Sequence, residues 1–165
     1  MKLKPAWTVF LLVECLTLAC LFTTRDRLPP LLASHFVADG RANGFMPRDG
    51  YLALMAAIAL FIPLLLVLVT GSLSRLPPER INLPNKDYLL APARRQATLD
   101  ALQAHSLWFG TGLAGFLGAV HGLVVQANAT TPPHLDATAI GMALAGFIGW
   151  SLAWTVALLR RFRRP

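Results

Sequence analysis

The sequence predicts an all-α integral membrane protein of four transmembrane helices, with a structured extracytoplasmic loop between the first two and an interfacial helix before the third. Three observations carry this expectation. The 165 residues are 55% hydrophobic and 14% charged, whereas an average soluble domain is about 45–50% apolar and about 25% charged. Four apolar stretches approach the roughly 20 residues needed to cross a hydrocarbon core of about 30 Å. The 15 Lys+Arg and 8 Asp+Glu residues sit in short clusters that bracket those stretches. A net charge of +7 arranged in this way follows membrane topology rather than a nucleic-acid stripe, so no nucleic-acid partner is expected. Residues 1–165 read as one four-helix domain, whose first partner is the lipid bilayer.

The first span runs from about Trp7 to Phe22, behind Lys2 and Lys4. A cleaved signal peptide is the rival reading, but Glu14 interrupts the apolar centre that such a signal needs. Cys15 and Cys20, both inside this span, offer neither a disulfide framework nor a metal spacing. Glu14 is the only carboxylate within a span, and an ionised group there costs at least about 2.5–3.5 kcal/mol. It should face other helices and hydrogen-bond near the level of Thr111 or Ser151, as glue or as one member of a relay.

The first loop, Arg25 to Gly50, contains Pro29, Pro30 and Pro47, which deny a continuous helix, and Gly40 and Gly44, which permit turns. Ser34 to Val37 could form a short strand. His35, Phe36, Asp39, Gly40 and Arg48 are the candidate binding or loop-organising residues. His35 and Asp39, with His134 and Asp136 of the third loop, are groups that could share a divalent metal. The simpler reading is that His35 organises the loop and Asp136 caps the fourth span, so no metal or other cofactor is expected.

The order Leu28-Pro29, His35-Phe36, Asp39-Gly40, then a basic Arg48 opening a span, resembles the bacterial membrane domain of unknown function 1648, the N-terminal domain of Sdp-type immunity proteins. The resemblance covers roughly residues 7–70 and departs at Pro30 and Arg48, where the family favours a polar residue and lysine. It implies a polytopic inner-membrane protein, some relatives of which protect their host from a secreted toxic peptide and relay its presence.

The second span is Tyr51 to Val69. The second loop holds Asn82, Pro84, Asn85, Lys86 and Tyr88, and looks like a segment of proteobacterial members of the same group. Those residues could cap a helix or line a cytoplasmic pocket. Pro92 suits a first helical position, and Arg94, Arg95, Leu99 and Leu102 suit an interfacial helix.

The third span runs from about Ser106 to Ala127 and the fourth from Ala137 to Leu159. Every fourth residue is small: Gly110, Ala114, Gly118 and Gly122 on one, Gly141, Ala145, Gly149 and Ala153 on the other. Such ridges let backbones touch, and the expectation is that the two pack against each other as an antiparallel hairpin, with homodimerisation the competitor. His121 should hydrogen-bond across to a neighbouring helix, and Trp7, Trp108, Trp154, Tyr51 and Tyr88 should anchor at the interfaces.

The N-terminus, second loop and tail carry Lys2, Lys4, Arg75, Arg80, Lys86, Arg94, Arg95, Arg160, Arg161, Arg163 and Arg164, 11 bases against the 4 of the first loop (Arg25, Arg27, Arg41, Arg48). Both termini are therefore expected in the cytoplasm of a bacterial inner membrane. Without a nucleophile–base pair, phosphate loop or zinc motif, an enzyme is not expected. A binding or sensing protein of immunity type, recognising a peptide or small amphiphile through the first loop, is the leading reading. A small transporter and a structural partner of another membrane protein are the alternatives.

Overall fold

The computed structural model describes residues 3–163, so Lys2 and Arg164 of the charge pattern lie outside the described residues. Four helices are long and apolar enough to cross a membrane, and the protein is a multi-pass, mostly helical membrane protein. They are α1 (Leu3–Thr23), α2 (Arg48–Ser72), α4 (Arg95–Ala127) and α5 (Ala137–Arg163), with a short α3 (Lys86–Leu89) between the second and third. The helices alternate in direction. One end of the bundle carries the links between α1 and α2 and between α4 and α5, and the other carries Leu3, Arg163 and the link between α2 and α4.

The link between α1 and α2 is a two-stranded antiparallel hairpin, β1 (Leu31–Phe36) and β2 (Ala42–Pro47). The strand expected at Ser34 to Val37 is thus longer, and it has a partner. Leu31 pairs with Pro47 and Ala33 with Phe45, and the register slips around His35. Gly40 makes the turn with φ of +89°, a conformation open to glycine; a Cβ there would also lie 2.2 Å from the carbonyl oxygen of Leu135. Gly44 needs no positive φ; it is small because His35 lies against it.

At 33 residues α4 is about 50 Å long, well beyond the hydrocarbon core. The separate interfacial helix expected before the third span is instead the first part of α4. It begins at Arg95, after a turn that holds Pro92. That extension is held by its surroundings: Arg95 donates to the carbonyls of Ser74 and Leu76, Thr98 Oγ1 donates to Leu89, and Ile81, Leu90 and Leu99 close a small core.

The core of the bundle is α1, α2 and α4. On α1 the buried residues Ala6, Phe10, Glu14, Thr17 and Leu21 recur every three or four positions, a single stripe that includes the carboxylate. Pro63 lies inside α2 with its carbonyl near Gly110, and the helix continues through it. Most of α5 stays outside this core, with Phe162 buried at its far end against Leu89 and Ala101.

Candidate functional site

The hairpin is seated on the bundle by paired polar contacts. Asn128, just past α4, accepts from the Ala33 N–H at 2.8 Å and donates to the Ala33 carbonyl at 2.9 Å, imitating a strand on the open edge of β1. At the turn, Leu135 N–H donates to Gly40 at 2.8 Å, and Arg41 bridges to His134. Arg48 N–H donates to Pro30, and its guanidinium reaches the Leu28 carbonyl at 3.1 Å. Leu28 and Leu32 are buried with Leu21, Tyr51, Leu52, Val124 and Val125, and Phe36 and Met46 pack on that cluster.

Alternation along β2 turns Asn43, Phe45 and Pro47 outward, and on β1 Leu31 and His35 are exposed on either side of the buried Ala33. Leu31 is 61% and Phe45 55% exposed. Beside them, His35 Nδ1 meets Asn43 Oδ1 at 2.5 Å, so the two strands share a polar pair next to an apolar patch. The partner of His35 is thus the exposed Asn43 side chain of the opposite strand, not the loop backbone. Asp39 accepts from the backbone N–H and guanidinium of Arg41, which hold its carboxyl below the usual carboxylate range. Asp136 accepts from the N–H groups of Thr138 and Ala139 at 2.9 Å, an N-cap of α5. Three of the four groups weighed as metal ligands are thus held by other partners, His134 lies close enough to Asp39 to help lower its pKa, and among the described residues no three His, Cys, Asp or Glu side chains converge.

Beneath the hairpin, His121 is fully buried and joins three helices. Its Nε2 lies 2.7 Å from Thr24 Oγ1, and its Nδ1 lies 3.1 Å from the Tyr51 hydroxyl. Thr24 spends its one hydroxyl proton on the Cys20 carbonyl at 2.6 Å. His121 Nε2–H therefore donates to Thr24, and Nδ1 accepts from Tyr51, which defines one neutral tautomer. Tyr51, expected as an interfacial anchor, is instead 4% exposed and stacks on the His121 ring.

Glu14 faces helices, as expected, and is 5% exposed. Neither carboxyl oxygen has a hydrogen-bond partner. Thr111 donates within its own helix to Leu107, and Ser151 Oγ is also unpaired, so the expected bond at that depth does not form.

The ridges meet partners other than those expected. A Cβ on Gly110 would lie 3.0 Å from the Phe10 ring, and one on Gly118 would lie 3.3 Å from Thr17 Oγ1, which donates to the buried Ala114 carbonyl. The α4 ridge packs on α1. Gly122, Gly141 and Gly149 face open space, and Ala145 and Ala153 are exposed. The α5 ridge is outward because α5 meets α4 through rings: Phe116 on Phe147, Phe109 on Trp150, and His105 on Trp154. Those rings recur at helical spacing in both spans, a signal as plain in the sequence as the small residues. Gly112, outside the ridge, is the glycine this contact requires, since a Cβ there would lie 2.2 Å from Trp150.

In the link between α2 and α4, Asn85 takes a left-handed conformation and its carbonyl receives the N–H groups of Tyr88 and Leu89. Arg94 lies 4.0 Å over the Tyr88 ring. Lys86 lines a surface hollow with Glu79 and Asp87, whereas Asn82 and Pro84 are exposed outside it. No family model, curated protein or solved structure matches this chain.

Proposed function

We propose that this chain is a binding or sensing protein of a bacterial cytoplasmic membrane, which recognises a peptide or small amphiphile through the outward face of its hairpin. One observation carries the reading. The hairpin is fixed to the bundle by Asn128, Gly40 and Arg48, yet leaves Leu31, Phe45 and Pro47 exposed beside the His35–Asn43 pair. An apolar patch next to a few placed polar groups on a rigid support suits an amphiphilic ligand, because little ordering is left for binding to impose. The resemblance of residues 28–48 to the immunity-type domain supports the same role. The balance of 11 bases against 4 supports cytoplasmic termini and an extracytoplasmic hairpin; a reporter fused after Pro165 should work only in the cytoplasm.

The test of recognition is a photoreactive residue at position 45 in living cells. The expected result is an adduct with a discrete peptide or small amphiphile that disappears with Leu31→Asn. Adducts with bulk phospholipid alone would mean that the hairpin dips into the bilayer, and would end the reading. A partner-protein role is favoured by a different observation, the outward small-residue face of α5.

A further inference from the structure

At the end of the bundle opposite the hairpin, the aromatic spacing of α5 from α4 leaves a lateral groove flanked by α2. Its walls include Leu66, Thr70, His105, Phe109, Trp154 and Leu158, and it encloses about 280 Å³. That is near the lower end of the roughly 300–1,000 Å³ of ordinary ligand pockets, and suits one slender chain. The hydroxyls on the wall offer almost no donors: Thr70 donates to Leu66, Ser106 to Gln103 and Thr155 to Ser151, each within its own helix. The groove is therefore apolar apart from the His105 ring, whose buried Nε2 has no hydrogen-bond partner among the described residues.

Its mouth is different. Arg161 lies three residues beyond Leu158, about 4.5 Å further along the axis. It is close enough to His105 for their charges to interact. Arg161 is exposed, whereas Arg160, two residues beyond Leu158, projects from the opposite side of the helix. The groove is held open from both sides, by the His105–Trp154 stack at 4.3 Å and by Phe162 buried against Leu89 and Ala101.

We propose that this groove binds a phospholipid with an anionic headgroup, its acyl chain between α2 and α5 and its phosphate on Arg161. Charge complementarity selects this occupant. A largely apolar slot with a cation at its mouth matches a molecule that is apolar along its length and anionic at one end, and basic sites between membrane helices favour such lipids. The site lies at the other end of the molecule from the hairpin and does not rest on the function proposed for it.

The protein should be reconstituted in nanodiscs of equal phosphatidylglycerol and phosphatidylethanolamine, released into mild detergent, and weighed intact by native mass spectrometry. The wild type should retain phosphatidylglycerol preferentially. Leu158→Trp or Thr155→Phe, each filling the slot, should abolish the adduct, while Leu65→Trp on an exposed face should leave it. Arg161→Gln should reduce the preference for phosphatidylglycerol about fivefold, taking roughly 1 kcal/mol per arginine, and Arg160→Gln should leave it. The proposal is overturned by a wild type that keeps neither lipid or shows no headgroup preference. It is equally overturned by adducts that survive both slot-filling variants or by a preference that survives Arg161→Gln.

Discussion

On one side α4 meets α1 through Gly110, Ala114 and Gly118; on the other it meets α5 through Phe109, Phe116 and the stacked His105. The first contact brings backbones near enough for Thr17 to hydrogen-bond the Ala114 carbonyl at 3.2 Å. The second holds them apart by the thickness of rings. In lipid, where burial of apolar surface drives little, close contact of backbones favours a tight fixed interface, and ring stacking gives a wider one with room at its edge. One helix thus builds a sealed core on one face and an open groove on the other.

The largest effects should come from glycines that distinguish the two faces. Gly112→Leu must push Trp150 away, and Gly110→Leu must displace Phe10, each costing about 1–3 kcal/mol of overpacking. Gly149→Leu should leave thermal stability in detergent unchanged, because that position faces open space. If Gly149→Leu is as damaging as Gly110→Leu, α5 packs through its small residues after all.

The next contrast is between the two histidines of α4. His121→Leu removes both bonds and strands the buried Tyr51 hydroxyl, a loss of about 1–3 kcal/mol, whereas His105→Leu removes a stack of at most about 0.5–1.5 kcal/mol, offset by the loss of an unpartnered buried Nε2. Melting curves of the two variants should fall in that order. Tyr51→Phe combined with His121→Leu should recover part of the loss, because the orphaned hydroxyl is then gone.

Glu14 should give an effect of the opposite sign. A carboxyl buried between α1 and its neighbours without a partner costs about 1–3 kcal/mol by mutational measures, so Glu14→Leu should melt at or above the wild-type temperature. A clear fall would reveal a partner for the carboxyl.

The smallest effect lies in the hairpin. Arg41 lowers the folded pKa of Asp39, so the contribution of this carboxylate is present above its ordinary pKa of about 3.9. It is lost as pH falls through the lower folded value. Protection of the Gly40 and Arg41 amides, taken as hydrogen exchange relative to the intrinsic rate at each pH, should therefore hold steady from neutral pH to about 4 and fall only below that. Protection that falls nearer pH 6 would implicate a histidine.

Much of the fold was legible in the residues themselves. The four spans, the cap at Asp136, the glycine turn at position 40 and the inward face of Glu14 all follow from local chemistry, because each depends on hydropathy, a nearby N–H or a φ angle. The His121 clasp was legible only as a tendency to bond a neighbour. Its partners Thr24 and Tyr51 are 97 and 70 residues away, and Tyr51 reads from sequence as an interfacial ring.

Sequence by itself determined that the chain crosses a membrane, where it crosses, and which stripes on each helix are small, aromatic or polar. Tertiary structure alone decided which stripe meets which. A glycine ridge fits any backbone that comes close, so the ridges of α4 and α5 were compatible with each other and equally with α1 or with lipid. The bulky rings of α4 and α5 occupied the face between them, turned the α5 ridge outward, and left the α4 ridge to Phe10 and Thr17. Pairing of helices is set by the sum of contacts over all faces at once, and that sum is a property of three-dimensional packing that no single stripe contains.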